Sequence, residues 1–367
     1  MENKVGRGRQ TALLVAGLAA VVLVVWRPWA DSRVTTPHSA QSTSGDAPAR
    51  AIPNTLSGKD SAPGSSIAIG NAPAIASTGV VFFSPWGGSS PNQVGRDRPK
   101  EGNPEGPMSL AVDARGGVVV LDQVNGRLVR HAPDGSPAGT VALTQRVPQD
   151  VATAKDGSVA VLDRLGNKSI ALYDAAGKPR GELPLAGEGV AEPGLLTAII
   201  VDGDDVYVER EHGPVVKIGD VRGNPATTRT ELPGRPTRDG KAFLTAGITD
   251  AATGRVWVAV NARPGGANRF TREIKLGAPV TQILLLDADL RGTIYFAIEL
   301  ERDPSAPSVQ LLCLEPQKGT TIGSRELPAN TSPDETLHDF AVQDDGGVVY
   351  AMRGETGVAY ARFDCRP

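Results

Sequence analysis

Two stretches of this chain repeat one another. The first begins at Pro107 and reads PMSLAVDARGGVVVLDQVNGRLVRHAPDGSPAGTVAL; the second begins at Pro148 and reads PQDVATAKDGSVAVLDRLGNKSIALYDAAGKPRGELPL. Each holds an alternating apolar stretch, an Asp/Gly turn, and a second stretch ending in Val-Leu-Asp. A polar turn, a third stretch, another Gly turn and a weaker fourth follow. Short alternating runs separated by such turns are strands of antiparallel sheet. Four strands in a unit of about 40 residues are the signature of one blade of a β-propeller.

Further units start near Leu196, Phe243, Thr281 and His338, which brings the total to six. The last unit stops after its third strand, and an orphan strand, GVVFFSPWGG, precedes the first. Open sheet edges invite mispairing. Residues 80–84 are therefore expected to supply the outer strand of the last blade and latch the ring. The fold class expected is all-β, a six-bladed β-propeller over residues 77–367. The 43 Gly and 29 Pro agree with many short strands and turns. A net charge of −3 gives no general pull toward nucleic acid, and an aromatic content of 4% gives few stacking platforms for sugars or single strands.

The pattern carried by Pro107, Ala111, Asp113, Gly117, Val120, Asp122, Asn125 and Arg127 resembles the NHL repeat. Two units match it well and four diverge. The resemblance implies a six-bladed propeller, used in that family as a binding scaffold and in some members as a hydrolase or lyase. The family's zinc-dependent lyases hold histidines at equivalent depth on several blades. Here His131, His212 and His338 fall at different points of their units, and His38 lies outside them. This sequence departs from the lyase pattern, and no metal or cofactor is expected.

The N-terminus reads differently. Lys4, Arg7 and Arg9, within a basic stretch over residues 1–10, precede TALLVAGLAAVVLVVW, residues 11–26. A charge-free run behind a basic flank favours membrane insertion with the N-terminus in the cytoplasm. As a helix it spans about 24 Å, short of the ~30 Å hydrocarbon core, which suits a cleaved signal peptide. Trp26, Arg27 and Trp29 act as interfacial anchors, and no small-x-small cleavage site follows, which favours an uncleaved signal-anchor over residues 11–30. Residues 31–76 are rich in Ser, Thr, Pro, Ala and Gly and read as a flexible, disordered linker. The propeller is thus expected in the periplasm or extracellular space, membrane-anchored, or secreted if the segment is cleaved.

Acidic turns at Asp202-Gly203-Asp204-Asp205, Asp287-Ala288-Asp289 and Asp344-Asp345-Gly346-Gly347 each suggest calcium when read alone. They recur at the same strand-to-strand turn, where Asp and Gly supply the backbone geometry, so they read as turn chemistry. Asp122 and Asp163 end the second strands of their units; they line a channel mouth or cap the next turn, and they are the pair to inspect for binding. Cys313 and Cys365 lie in the third strands of adjacent units and form either a disulfide or two buried thiols. No G-x-S-x-G, H-E-x-x-H or G-x-x-x-x-G-K-[ST] is present. The function expected is a tethered binding or scaffold module for a protein, peptide or envelope component, not nucleic acid. The alternative is a lactonase-like, divalent-metal-dependent hydrolase at the channel mouth, and no catalytic residue is assigned to it.

Overall fold

The computed structural model describes residues 67–68, 79–88, 90–210, 212–303 and 307–366. The basic stretch, the 11–30 segment and nearly all of the 31–76 linker lie outside these residues. Among the described residues no helix is long and apolar enough to cross a membrane.

Six antiparallel sheets follow one another along the chain as six blades. Blade 1 comprises Ser109–Val112, Val118–Asp122, Arg127–His131 and Pro137–Ala142, from the centre outward. Blade 2 repeats this with Asp150–Thr153, Val159–Asp163, Ser169–Tyr173 and Pro179–Pro184. Turns with Gly116 and Gly157 at φ 84° and 85° join their first two strands; only glycine adopts that conformation without strain. Blade 3 runs Ala198–Asp202, Asp205–Glu209, Val215–Asp220 and Glu231–Leu232. Blade 5 runs Val280–Ala288, Ile294–Leu300, Ser308–Leu314 and Thr321–Pro328.

Blade 4 departs from the expected register. Phe243 belongs to its second strand, Ala242–Asp250; the innermost strand is only Arg235–Pro236. Arg255–Ala262 and Asn268–Lys275 complete the blade. The alternation after Phe243 was strong enough to read as a first strand, whereas a two-residue Arg-Pro strand has no periodicity to detect. Ile67–Ala68, within the linker stretch, adds in parallel to the outer edge of this blade, opposite Ile274 and Lys275.

Blade 6 is built from both ends of the ring. Phe340–Val342, Val348–Arg353 and Gly357–Phe363 form its inner strands, and Val80–Pro85 is the outermost, antiparallel to Gly357–Phe363. Phe82 stacks between Tyr360 at 4.4 Å and His131 of blade 1 at 3.8 Å. The latch strand therefore fills the seam between the last blade and the first.

Among the described residues, apolar clusters fill five of the six seams between neighbouring blades. The seam between blades 3 and 4 has none. Ion pairs span it instead: Arg235 with Glu209 at 2.7 Å and Arg263 with Asp202 at 2.5 Å.

Cys313, in the third strand of blade 5, is disulfide-bonded to Cys365, just past the third strand of blade 6, across a sequence separation of 52. A Cβ at Gly323 would lie 1.5 Å from the Cys365 carbonyl oxygen, so only glycine lets the chain end approach the outer strand of blade 5. Cross-linking removes loop-closure entropy from the unfolded chain. We expect Cys365→Ser to lower stability by roughly 2–4 kcal/mol, measured by urea unfolding. The unfolded, unreduced wild-type protein should show no thiol reactive toward a labelling reagent; two reactive thiols would refute the bond.

Candidate functional site in the central channel

The innermost strands line a cavity of about 150 Å³ at the centre of the ring, with all six blades contributing. Ser109, Asp150 and Ile199 pair with Leu121, Leu162 and Val208 of their second strands, so three neighbouring blades present them at the same depth. They converge on the Asp150 carboxylate, which is 2% exposed. Ser109 Oγ donates to Oδ1 at 2.5 Å, the Ile199 amide donates to Oδ2 at 2.8 Å, and His338 Nδ1 lies 2.9 Å from Oδ1. A carboxylate only accepts, so His338 Nδ1 carries a hydrogen. Burial raises the Asp150 pKa, but the charge and hydrogen bond of His338, the Ser109 hydroxyl and the Ile199 amide outweigh it, so the group stays below the ordinary carboxylate value.

Glu209 ends the second strand of blade 3, the position that Asp122 and Asp163 hold in blades 1 and 2. Its extra methylene carries the carboxylate away from its own turn to Arg235 of blade 4. Oε1 of this buried group has no hydrogen-bond partner. His212, at φ 56°, follows in the next turn; its Nε2 lies 3.3 Å from the Ile283 carbonyl and its Nδ1 3.8 Å from Glu209. Burial pushes its pKa below the ordinary histidine value, with Arg235 and His338 adding to the shift and Glu209 and the Ile283 carbonyl opposing it.

At the other end of the channel Arg238 bridges Asp287 of blade 5 at 3.2 Å and Asp344 of blade 6 at 2.9 Å. Together with Arg263 on Asp202, blade 4 thus sends three arginines to carboxylates of blades 3, 5 and 6. Arg235 lies in its short first strand and Arg238 in the turn just after it. Among the described residues no group of three or more His, Cys, Asp or Glu could hold a metal ion.

Asp122 and Asp163 do not line this cavity. Asp122 accepts from the Gly95 amide, Asn125 Nδ2 and Arg127 Nε, all at 2.8 Å. Asp163 accepts from the Gly166 amide at 2.6 Å and the Val147 amide at 3.0 Å. Both carboxylates are spent on fastening the turn and the preceding loop. The acidic turn residue Asp289 likewise accepts from the amides of Arg291 and Thr293 at 2.9 Å.

Sequence reasoning missed Asp150, Glu209 and Arg235, and set the two channel histidines aside as inequivalent. One signal was present: the residue two places after the repeat's proline is Ser109 in one unit and Asp150 in the next, a charge where the strand faces the core. His212 and His338 looked inequivalent because one sits in a turn and the other before a first strand. Strand antiparallelism brings both places to the same end of the channel.

Two buried histidines, His212 and His131, make stability depend on pH. His131 is also pushed down by burial, opposed by the Gly135 carbonyl. A histidine with a depressed folded pKa binds more protons unfolded, so its stabilising contribution is complete above about pH 6.5 and is lost as pH falls below that. Urea-unfolding free energy should decline between pH 6.5 and 5. His212→Asn, which tolerates positive φ, should flatten that decline; an equally steep decline would show that His212 does not titrate in this way.

No protein-family model matches the chain, and no curated protein matches it. Among solved structures it is similar to virginiamycin B lyase from Staphylococcus aureus, at 12% identity over 70% of this chain and 94% of that one, TM-score 0.40. It is similar to BamB from Moraxella catarrhalis at 18% identity over 70% and 76%, TM-score 0.32. It is also similar to hydrazine synthase from Kuenenia stuttgartiensis at 14% identity over 70% and 76%, TM-score 0.46. At these identities the likeness concerns the propeller architecture alone.

Proposed function

We propose that this chain is a membrane-tethered, extracytoplasmic propeller of the NHL type that binds a protein or peptide partner in the cell envelope. The observation that carries this reading is the internal neutralisation of the channel. Asp150, Glu209, Asp202, Asp287 and Asp344 are each held by a histidine or arginine of another blade, around only about 150 Å³. A metal-dependent hydrolase needs carboxylates free to converge on an ion; these are committed to each other's blades. Recognition then falls to the outer surfaces. On the side where the innermost strands begin, residues 90–106 and 329–339 build a joint platform. Glu105 bridges to Glu335, and Arg96 and Arg98 both grip Asp334, at 2.9 and 3.2 Å. A Cys313–Cys365 disulfide suits an oxidising compartment, in keeping with the export segment over residues 11–30.

The test is in-cell crosslinking of the full-length chain, with residues 1–76 alone as the control. One envelope protein enriched over that control is expected. No enrichment over it would overturn the reading, and a mature N-terminus near Asp31 would replace the anchored form by a secreted one.

A further inference from the structure

Under the 329–339 loop, between blades 5 and 6, lies a second cavity of about 230 Å³. Its apolar wall is formed by Leu284 and Leu337, and its polar wall by Glu299, Asp339, Ser332 and Arg353. Two observations there are left unexplained by the fold. The Glu299 carboxylate accepts from Gln282 Nε2 at 3.0 Å but joins no ion pair among the described residues. The other acids of the cavity are matched: Asp339 by Arg353 at 2.6 Å, and Asp334 from outside by Arg96 and Arg98. Independently, the Arg353 side chain is 2% exposed, yet only Nη2 is used, on Asp339 and the Pro107 carbonyl; Nε and Nη1 have no acceptor. Buried donors are costly to leave unpaired. The cavity therefore carries one carboxylate without an ion-pair partner, idle donors at its wall, and an aliphatic side.

We propose that this pocket receives a lysine side chain of the protein partner. The inference rests on reading the propeller as a binding module. A lysine stem lies along apolar surface while its compact ammonium, with three donors, is shared among several oxygens, here those of Glu299, Asp339 and Ser332. The lysyl residue's own carbonyl is the acceptor that Arg353 lacks.

The experiment titrates the full-length protein with Nα-acetyl-lysine methylamide and with the norleucine analogue, which has an apolar side chain and no ammonium. Binding is read by saturation-transfer NMR. Wild type should prefer the lysine probe by about tenfold or more, and Glu299→Gln, checked for an unchanged melting temperature, should lose that preference. Equal binding of the two probes to wild type overturns the inference without recourse to any variant, as does a preference retained by Glu299→Gln. In the crosslinking assay Glu299→Gln should lower partner yield by about tenfold. A partner captured equally by both proteins removes the lysine pocket and leaves the binding reading standing; a wild type that captures nothing over the control removes the binding reading itself.

Discussion

A chain lacking residues 79–88 is expected to lose its cooperative thermal transition, or to melt far below the intact protein. Among the described residues the latch strand is the outer partner of Gly357–Phe363, and it places Phe82, 8% exposed, between Tyr360 and His131. Val94, Val358 and Tyr360 share that cluster with residues of blade 1. Truncating one buried aromatic in such a place costs about 3–5 kcal/mol. Phe82→Ala alone should therefore lower the melting temperature by roughly 5–15 °C. Deleting the strand removes its backbone ladder as well, against a total stability of about 5–15 kcal/mol for a typical domain. Calorimetry on both variants measures this, and a deletion variant melting like wild type would show that the ring closes by other contacts.

The second large effect is expected at Arg235. Its Nη2 holds Glu209, whose side chain is completely buried. Burial alone would lower the pKa of this guanidinium; Glu209, Asp287 and Asp150 more than reverse that, so it is raised. Arg235→Met fills similar space and strands a buried carboxylate, which typically costs 3–5 kcal/mol. Because no apolar cluster backs the seam between blades 3 and 4, the loss falls where the ring has least else to hold it. Glu209→Gln combined with Arg235→Met should recover much of the stability, giving a coupling of more than about 1 kcal/mol in a double-mutant cycle. Arg222→Ala, at the exposed pair with Asp204, should stay within about 0.5 kcal/mol. Equal losses at the two sites would refute the role given to burial.

Local signals made the ring legible. Asp-Gly turns, period-two alternation and acids closing second strands mark blades 1 and 2 residue by residue. Blade 4 was legible only in part, because Arg235–Pro236 is too short to show a period. The channel groups were not legible for a different reason. Asp150, Glu209, Arg235, His212 and His338 come from four blades and meet only because the sheets close on themselves. No spacing within a unit encodes that meeting. The reach of Glu209 to the next blade turns on a single methylene, where the aspartates of blades 1 and 2 bend back to their own turns.

The latch also sets an order of events. Val80–Pro85 leaves the ribosome before any blade, and its partner Gly357–Phe363 follows after all five other blades. Throughout synthesis, and through any passage across a membrane, the latch strand must wait without its mate, its backbone donors and acceptors available to any wrong edge. Closing so distant a pair is intrinsically slow. Maturation of this protein should therefore be limited by a late ring-closing step rather than by the formation of individual blades, and the unclosed intermediate is the species that a holding chaperone would need to recognise.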